Sequence, residues 1–283
     1  MMKGSGSEMI IPVFQVDAFT DEPFRGNPAA VCIVGKFPDE VTMKRIAMEM
    51  NLSETAFVVP LKEPGEEGRA AFSIRWFTPS VEVPLCGHAT LAASWVIFNE
   101  RAFSFPRITF ESASGKLAAA LGEDGITLDF PLNGTEPAEI PDGLLDAMGI
   151  RSVEDAKLSK SAEMLLLRVA DEAAVRGLQP DFKAMLGIDR GGLGFQGVIV
   201  TSRSSDFDFL SRYFGPWEGI DEDPVTGSAH TVLAPYWSRI TGRSRFRAFQ
   251  ASKRGGELTV AVTGDRVKIT GRATTVLRGE LLL

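Results

Sequence analysis

The chain has 283 residues, of which 44% are hydrophobic and 24% charged, and its formal net charge is −7. This length suits one large or two ordinary domains, and the balance of apolar and charged residues is that of a globular protein with ample material for a core. No run of about 18 uncharged apolar residues occurs, so no membrane span is expected, and the negative charge argues against general nucleic-acid binding.

The cysteine content and the N-terminal stretch bear on the compartment. Two cysteines are too few for a disulfide framework in a chain of this length, so a reducing cytoplasm is expected. The first nine residues, MMKGSGSEM, are too short and polar for a signal peptide, and their Gly/Ser content is typical of a flexible leader. Neither observation names an activity.

The first half of the chain combines short strand patterns with two helical segments. Stretches rich in Val, Ile, Phe and Thr predict strands at IIPVFQVDAF, NPAAVCIVG, TAFVVPL, AAFSIRWF and RITFESASG. The segment DEVTMKRIAMEMN, residues 39–51, predicts an amphipathic helix in which Val41, Ile46 and the methionines share one face. The segment HATLAASWVIFN is apolar on nearly every side, which is typical of a helix that is buried all round.

The second half contains the same kinds of element. Its counterparts are AEMLLLRVA, DFKAMLGI, GVIVTS, RFRAFQAS, ELTVAVTG and RVKITGRA, and its own apolar helix is SAHTVLAPYWSRI. Strands dominate in both halves and do not alternate regularly with helices. The predicted fold class is therefore α+β.

Three short motifs recur in the same order about half a chain apart. They are RWFTP at Arg75 and RYFGP at Arg212, PLCGHA at Pro84 and PVTGSA at Pro224, and the Pro-Asp pairs at Pro38 and Pro180. Their offsets of 137, 140 and 142 positions agree within five residues, which is hard to assign to chance. We therefore expect two similar halves, residues 9–130 and 131–283, each a curved sheet around its apolar helix.

Both histidines lie close to the predicted start of an apolar helix. His88 follows Gly87, and His230 comes three residues after Gly227. A helix N-terminus presents backbone N–H groups and a partial positive charge, so each position can bind a carboxylate or phosphate. Ser228 adds a hydroxyl beside Gly227, although it can equally serve only as the helix cap. A single position of this kind is more often a capped core helix, but two related by the repeat favour a site.

Three further polar residues are candidates for the chemistry. Glu54, in NLSETAFVV, lies between a helix and an apolar strand, where a buried carboxyl can pass protons near neutral pH. A lone glutamate in such a place is more often at the surface. Asp223 precedes Pro224 and can cap a turn or orient a histidine, and Asn27, in RGNPAAV, is expected in a turn or, less often, facing a ligand.

The sequence contains one weak indication each of nucleotide binding, of metal binding and of catalysis by a thiol. Gly192–Gly197 is a literal G-x-G-x-x-G, but it leads into a strand and so does not predict a dinucleotide site. Cys86, His88 and His230 could ligate a metal, but the sequence has no dense ligand cluster, and no metal is expected. A helix N-terminus would favour a thiolate at Cys86, so covalent catalysis stays open, whereas Cys32 is expected in a strand core.

Four stretches together resemble the phenazine-biosynthesis PhzF-like family, which shares its fold with diaminopimelate epimerase. They are VDAFTDEPFRGNPAAV, NLSETAFV, WFTPSVEVPLCGHATLAAS and DEDPVTGSAH, in the family's order and spacing. The resemblance covers nearly everything from Pro12 to the C-terminus. It implies two pseudo-symmetric halves, each a barrel-like, mostly antiparallel sheet around a central helix, with the active site in the cleft between them. In relatives the C-terminal strand crosses back to complete the first half.

The resemblance also implies roles for individual residues. Glu54 matches the family's general acid/base, and His88 and Asp223 match its polar active-site partners. The positions that match groups holding the substrate carboxylate are Gly87, Gly227 and Ser228, with Asn27 as a further binding candidate. The stretch FQASKRGGELTV, residues 249–260, differs from that of some members, which leaves the substrate open.

The implied activity is that of a cofactor-independent isomerase, which moves a proton between carbons of a small, cyclic amino or hydroxy carboxylate by general acid/base catalysis. A small-molecule substrate and a homodimer are implied, with no nucleic-acid or membrane partner. In diaminopimelate epimerase two cysteines work as an acid and base pair, whereas here Cys86 falls at the first position and Thr226 at the second. The alternatives are an epimerase or racemase that uses Cys86, and a non-catalytic member that binds a small ligand or a protein.

Overall fold

The computed structural model describes residues 9–61, 70–100 and 105–283. The leader predicted from the sequence lies outside these residues, apart from Met9. No helix in the described part of the chain is long and apolar enough to cross a membrane. The chain divides into two compact units, of which the first comprises Met1–Pro23, Pro28–Ile126 and Ala273–Leu283, and the second Phe24–Asn27 and Thr127–Arg272.

The described residues form many short strands and few helices, which confirms the α+β class. The strands are β1 (Ile10–Ala18), β2 (Asn27–Ile33), β3 (Glu54–Pro60), β4 (Ala70–Phe77), β5 (Glu82–Val83), β6 (Arg107–Ser112), β7 (Gly115–Gly122), β8 (Gly125–Pro131), β9 (Glu136–Pro137), β10 (Asp155–Ser159), β11 (Met164–Arg168), β12 (Gly197–Arg203), β13 (Phe209–Gly215), β14 (Ile220–Asp223), β15 (Arg245–Gln250), β16 (Gly256–Thr263), β17 (Arg266–Gly271) and β18 (Ala273–Leu282). The helices are α1 (Glu40–Met50), α2 (Gly87–Trp95), α3 (Leu144–Met148), α4 (Glu172–Arg176), α5 (Phe182–Leu186) and α6 (Gly227–Thr241), with a π-helical turn at Val96–Glu100 and a 3-10 turn at Pro216–Glu218. Each strand and helix named from the sequence pattern has a counterpart among these elements.

In the first unit, parallel and antiparallel strand pairs follow one another in a definite order along the chain. β2 and β3 are parallel and are connected by α1, whereas β4 is antiparallel to β3 and to the short β5. β6 then runs parallel to β4, and β7 antiparallel to β6. The C-terminal strand β18 pairs antiparallel with β1 along its length, from Ile10 opposite Leu282 to Ala18 opposite Ala273. The end of the chain therefore supplies an edge partner to its beginning.

The second unit repeats this order. β11 and β12 are parallel, and β13 is antiparallel to β12 and to the short β14. β15 is parallel to β13, and β16 is antiparallel to β15. Strands β11–β16 thus correspond one by one to β2–β7, and α6 follows β14 as α2 follows β5.

The recurring motif RWFTP, which is RYFGP in the second half, makes the same arginine–glutamate contact in both units. The Arg75 guanidinium in β4 donates through Nε and Nη2 to Glu82 in β5, at 2.7 and 2.6 Å. The Arg212 guanidinium in β13 donates in the same way to Glu222 in β14, at 2.6 and 2.9 Å. A two-pronged bond of this kind fixes the direction of both side chains. Each pair therefore ties the short strand that leads into the following helix to the sheet.

The helices predicted to be buried all round are buried over most of their length, at residues 88–94 in α2 and 229–237 in α6, whereas Ser228, Arg239 and Ile240 are exposed. α2 packs on β1, β3 and β18, and α6 packs on β15, β16 and β17. Leu91 in α2 and Leu233 in α6 are fully buried, and burial of a leucine side chain stabilises a fold by about 1.5–3 kcal/mol. Each helix thus anchors the core of its own unit and fixes the position of its first turn.

Helix α1 confirms the Pro-Asp start and corrects the predicted apolar face. The Asp39 carboxylate accepts a hydrogen bond from the Thr42 backbone N–H at the N-cap, and Asp181 caps α5 in the same way. The buried residues of α1 are Met43, Ile46 and Ala47, with Met50 partly buried against the same cluster. Val41 and Met48 are each 58% exposed, so their assignment to the buried face was wrong. They lie seven residues apart on the opposite side of the helix, off the i, i+3, i+4, i+7 stripe.

Candidate functional site

A buried acid, thiol and imidazole meet where β3 begins and where α2 begins. Glu54, Cys86, Gly87 and His88 form what we call the first corner. His88 Nε2 lies 3.1 Å from Glu54 Oε2, which is ion-pair distance. Cys86 Sγ lies 3.5 Å from His88 Nδ1. The Glu54 side chain is 12% exposed and that of His88 6%, so the pair is largely withdrawn from water.

The electrostatics of the first corner couple the Cys86 thiol, the His88 imidazole and the Glu54 carboxyl to one another. Burial raises the pKa of the Cys86 thiol, and the neighbouring Glu54 adds to this effect. Burial therefore opposes the thiolate that a helix N-terminus favours, and covalent catalysis at Cys86 stays a prediction. Burial alone would lower the pKa of His88, but the neighbouring Cys86 and Glu54 outweigh burial and hold that pKa well above its ordinary value. The imidazolium beside a carboxyl is a group that can share and transfer a proton.

The second unit places a carboxylate at the equivalent helix start. Asn27, Asp223, Thr226, Gly227, Ser228 and Gln250 form what we call the second corner. Asp223 ends β14 and is 8% exposed. Its Oδ1 accepts a hydrogen bond from Asn27 Nδ2 at 2.8 Å, and its Oδ2 accepts one from Thr226 Oγ1 at 2.5 Å. The carboxylate is thus held from both sides by neutral donors.

Gln250 was not singled out from the sequence, yet it connects the parts of the second corner. Its side chain is fully buried at the end of β15. Its Oε1 accepts from the Thr226 backbone N–H at 2.9 Å, and its Nε2 donates to the Asp223 carbonyl at 2.7 Å and to Thr226 Oγ1 at 3.1 Å. A single glutamine at the end of a strand leaves no periodicity or motif that could have marked it.

Two sequence-based interpretations in the second corner need correction. Asn27 is not a turn residue: it begins β2, and its fully buried side chain donates to Asp223 and to the Val225 carbonyl. Ser228 is not the helix cap, because the N-cap of α6 is Thr226 and Ser228 is an exposed residue of the first turn. Neither Thr226 nor Cys86, the N-cap of α2, makes a capping hydrogen bond with its side chain.

His230 takes a structural place in the core of the second unit. It is fully buried, its Nδ1 lies 2.8 Å from the Thr226 carbonyl, and its ring stacks on Phe209. Burial lowers the pKa of His230 to about 4, so it is neutral at neutral pH and donates its Nδ1 hydrogen. Within the described residues, His230 does not belong to the cluster of possible metal donors that contains Cys86 and His88.

The first corner nevertheless contains a possible donor set. Within the described ranges, ligand atoms of Glu54, Cys86 and His88 lie within 4.8 Å of one another. The same three groups also satisfy one another as an ion pair and a sulfur–imidazole contact. The expectation that the protein uses no metal stays a prediction.

Comparison with known proteins identifies the family. A family model described as "Phenazine biosynthesis-like protein" (PhzC-PhzF) matches residues 16–279. An "uncharacterized isomerase" of Pseudomonas aeruginosa is 46% identical over 275 residues, covering 97% of this chain and 100% of the relative. The crystal structure of a PhzF-family phenazine biosynthesis protein of Enterococcus faecalis matches with a TM-score of 0.88 and 41% identity, over 97% of this chain and 100% of the other. The chain belongs to the PhzF-like family, as the resemblance predicted.

The fold extends to more distant enzymes. A hydroxyproline epimerase of Agrobacterium vitis, with bound trans-4-OH-L-proline, matches with a TM-score of 0.59 and 16% identity, over 97% of this chain and 93% of that protein. At this identity the likeness shows the fold alone. The PhzF-family relatives named above, one of which is called an isomerase, support an isomerase-like enzyme.

Proposed function

We propose that this protein is a cofactor-independent isomerase, which moves a proton between carbon atoms of a small, cyclic amino or hydroxy carboxylate. The observation that carries this proposal is the buried pair of Glu54 and His88, with 3.1 Å between Oε2 and Nε2, in a chain of the PhzF-like family. A carboxyl group can remove a proton from a carbon activated by conjugation and return it to another carbon of the same system. Neither step requires a metal or a redox cofactor.

In the first corner, Glu54 is the general acid/base and His88 stabilises charge. Because the neighbours hold the pKa of His88 well above its ordinary value, the imidazolium is the form available near neutral pH. Its N–H groups are preorganised donors in a buried place, where they stabilise negative charge that develops as the proton leaves. The Gly87 backbone at the start of α2 is the proposed contact of this corner for a carboxylate.

In the second corner, the proposed roles are recognition and anchoring. Gly227, at the start of α6, and the exposed hydroxyl of Ser228 hold the substrate carboxylate. Asp223 accepts a hydrogen bond from an amino or hydroxyl substituent. Asn27 serves the site through Asp223, because its amide nitrogen already donates to Asp223 and to the Val225 carbonyl.

The main rival is an epimerase in which Cys86 is an acid/base. The 3.5 Å contact of its Sγ with His88 Nδ1 favours this rival, since an imidazole can relay a proton to a thiol. A two-thiol mechanism needs a partner, and the repeat-equivalent position holds Thr226, whose hydroxyl donates to Asp223. A non-catalytic member that only binds a ligand is the second rival.

Deuterium exchange of candidate substrates separates these functions. A panel of small cyclic and amino carboxylates is screened by thermal shift, and each binder is incubated with protein in deuterated water and followed by NMR. Glu54→Gln keeps size and polarity but removes the titrating proton, so we expect exchange to fall by about 10²-fold or more with binding retained. Glu49→Gln, at an exposed position of α1, is the matched control.

Each outcome selects one function. Cys86→Ser should leave exchange largely intact if Glu54 is the acid/base, whereas loss of exchange in Cys86→Ser with survival in Glu54→Gln would assign the chemistry to the thiol. Binders that the wild-type protein neither isomerises nor exchanges at a carbon-bound proton would identify a binding-only member.

The predicted homodimer and cytoplasmic location are also proposals. Cys32 and Cys86 are both buried free thiols, which suits a reducing compartment. Sedimentation equilibrium of the purified protein tests the homodimer directly, and a monomer mass at micromolar concentration would refute it.

A further inference from the structure

The hydroxyl of Thr226 lies between the Gln250 amide nitrogen, which can only donate a hydrogen bond, and the Asp223 carboxylate, which can accept one. Gln250 Nε2 is 3.1 Å from Thr226 Oγ1, and Asp223 Oδ2 is 2.5 Å from the same oxygen. The orientation of the Gln250 amide is fixed, because its Oε1 faces the Thr226 backbone N–H, which has a hydrogen to give. Thr226 Oγ1 therefore accepts from Gln250, and its own hydrogen is directed at Asp223.

The opposite oxygen of Asp223 is constrained by the same logic. Asn27 Nδ2 lies 2.8 Å from Asp223 Oδ1 and 2.9 Å from the Val225 carbonyl, so the amide nitrogen, and not the amide oxygen, must face both acceptors. Asp223 thus receives one hydrogen on each carboxyl oxygen. Hydrogen bonds donated to both oxygens favour the ionised carboxylate over the protonated acid.

We propose that Gln250 is a positioning residue, which locks the Thr226 hydroxyl as a donor and so holds Asp223 as an oriented carboxylate that recognises an N–H or O–H group of the substrate. Asp223 then acts as an acceptor and not as a proton donor, and this role matches the amine or hydroxyl of the proposed substrate class. This inference rests on the proposed function, because it assigns Asp223 to the substrate site. Its test uses no substrate, so the two can fail independently.

Three other ionisable groups near Asp223, in the part of the chain that the structure describes, are Tyr213, Glu222 and His230. Tyr213 lies opposite Asp223 in the β13–β14 pairing, and burial together with the neighbouring Glu218 raises its pKa, so it stays neutral. Glu222, the preceding residue, is paired with Arg212. His230 reaches the network only through the Thr226 carbonyl and titrates near pH 4, so its ring must be followed separately in any acid titration.

The experiment is an NMR titration of the full-length protein labelled with ¹³C at the aspartate carboxyls, with Asp223 assigned by Asp223→Asn. Thr226→Val removes the hydroxyl donor, and because this donor stabilises the charged form, we expect the Asp223 midpoint to rise by about one pH unit. Gln250→Met should raise the midpoint in the same direction by a smaller amount, because the hydroxyl is then free to rotate. Thr226→Ser retains the hydroxyl and should restore the wild-type midpoint.

A matched control distinguishes positioning from loss of stability. Thr231 lies in the same helix, is also buried, and donates its hydroxyl to the Ser228 carbonyl at 2.6 Å. Thr231→Val should therefore leave the Asp223 midpoint in place even if it lowers stability. Unchanged midpoints in Thr226→Val and Gln250→Met would overturn the proposal, as would an equal rise in Thr231→Val. Should Gln250→Met not fold, the Thr226 variants decide the matter by themselves.

Discussion

The two corners occupy equivalent places in two units of the same topology, but they hold their buried carboxyl groups in different ways. In the first corner, Glu54 lies beside His88, whose pKa is raised so that the charged ring is favoured. In the second, Asp223 accepts hydrogen bonds from neutral amide and hydroxyl groups. An acid next to a titratable partner can exchange protons, whereas one held by fixed neutral donors is suited to recognition. The difference supports a division of labour between proton transfer and binding.

The acids also stand at different positions of the repeated plan. Glu54 begins β3, and the corresponding strand β12 begins with Gly197, where an added Cβ would overlap the ring and hydroxyl of Tyr213. Asp223 lies opposite Tyr213, and the corresponding pair in the first unit is Val83 opposite Trp76. Each unit therefore has an acid where the other has none. The repeat preserves the scaffold and not the chemistry.

Among the substitutions considered, that of Gly197 should lower the free energy of unfolding most. In Gly197→Ala the new methyl group meets the Tyr213 side chain, which the β13 backbone and the bond of its hydroxyl to Glu218 hold in place. We expect the free energy of unfolding to fall by about 3 kcal/mol or more, since a filled core resists an added group. Urea denaturation measures this loss. Gly35→Ala, where a Cβ meets open space, is the control and should change stability little.

The two histidines should respond to pH with opposite signs. The folded-state pKa of His230 is depressed to about 4, so the unfolded chain binds more protons, and this contribution to stability is lost as pH falls from about 6.5 through 4. The loss amounts to about 3 kcal/mol. The folded-state pKa of His88 is raised, so its contribution is complete below about pH 6.5 and is lost as pH rises through the folded value.

Stability curves of single variants measure these slopes. The difference in unfolding free energy between wild type and His230→Phe should shrink on acidification, and that between wild type and His88→Gln should shrink at alkaline pH. The same sign for both histidines would show that the electrostatic contrast between His88 and His230 is wrong.

Substitution of the two arginines that pair with glutamates should have a smaller effect on stability, and the effect should differ between the two units. Arg212 and Glu222 have side chains 10% and 19% exposed, whereas those of Arg75 and Glu82 are 30% and 31% exposed. Lysine cannot reproduce the two-pronged bond, so we expect Arg212→Lys to cost about 2 kcal/mol of stability and Arg75→Lys about 1 kcal/mol. Thermal or urea unfolding of both variants tests the ranking, and equal losses would contradict the link to burial.

Local signals predicted much of the fold and only part of the candidate site. Gly87 and Gly227 were placed at helix starts because an apolar helix and the turn before it are both written in neighbouring residues. The burial of Asn27 could not be predicted, because it depends on a hydrogen bond to Asp223, 196 positions away in the chain. Gln250 was missed for the same reason: its partners are brought to it by the pairing of β13 with β15. Val41 was misplaced because an apolar residue on a short helix is compatible with either face.

The pairing of β1 with β18 has a consequence for how the protein is made. The first unit takes strands from both ends of the chain, whereas the second is nearly continuous, from Thr127 to Arg272. On a ribosome, β1 emerges early and must wait for β18 to be synthesised, with one edge open to wrong partners. The second unit has nearly all its residues before that moment. Synthesis from the N-terminus would therefore be expected to yield a finished C-terminal unit first, the reverse of the usual vectorial order.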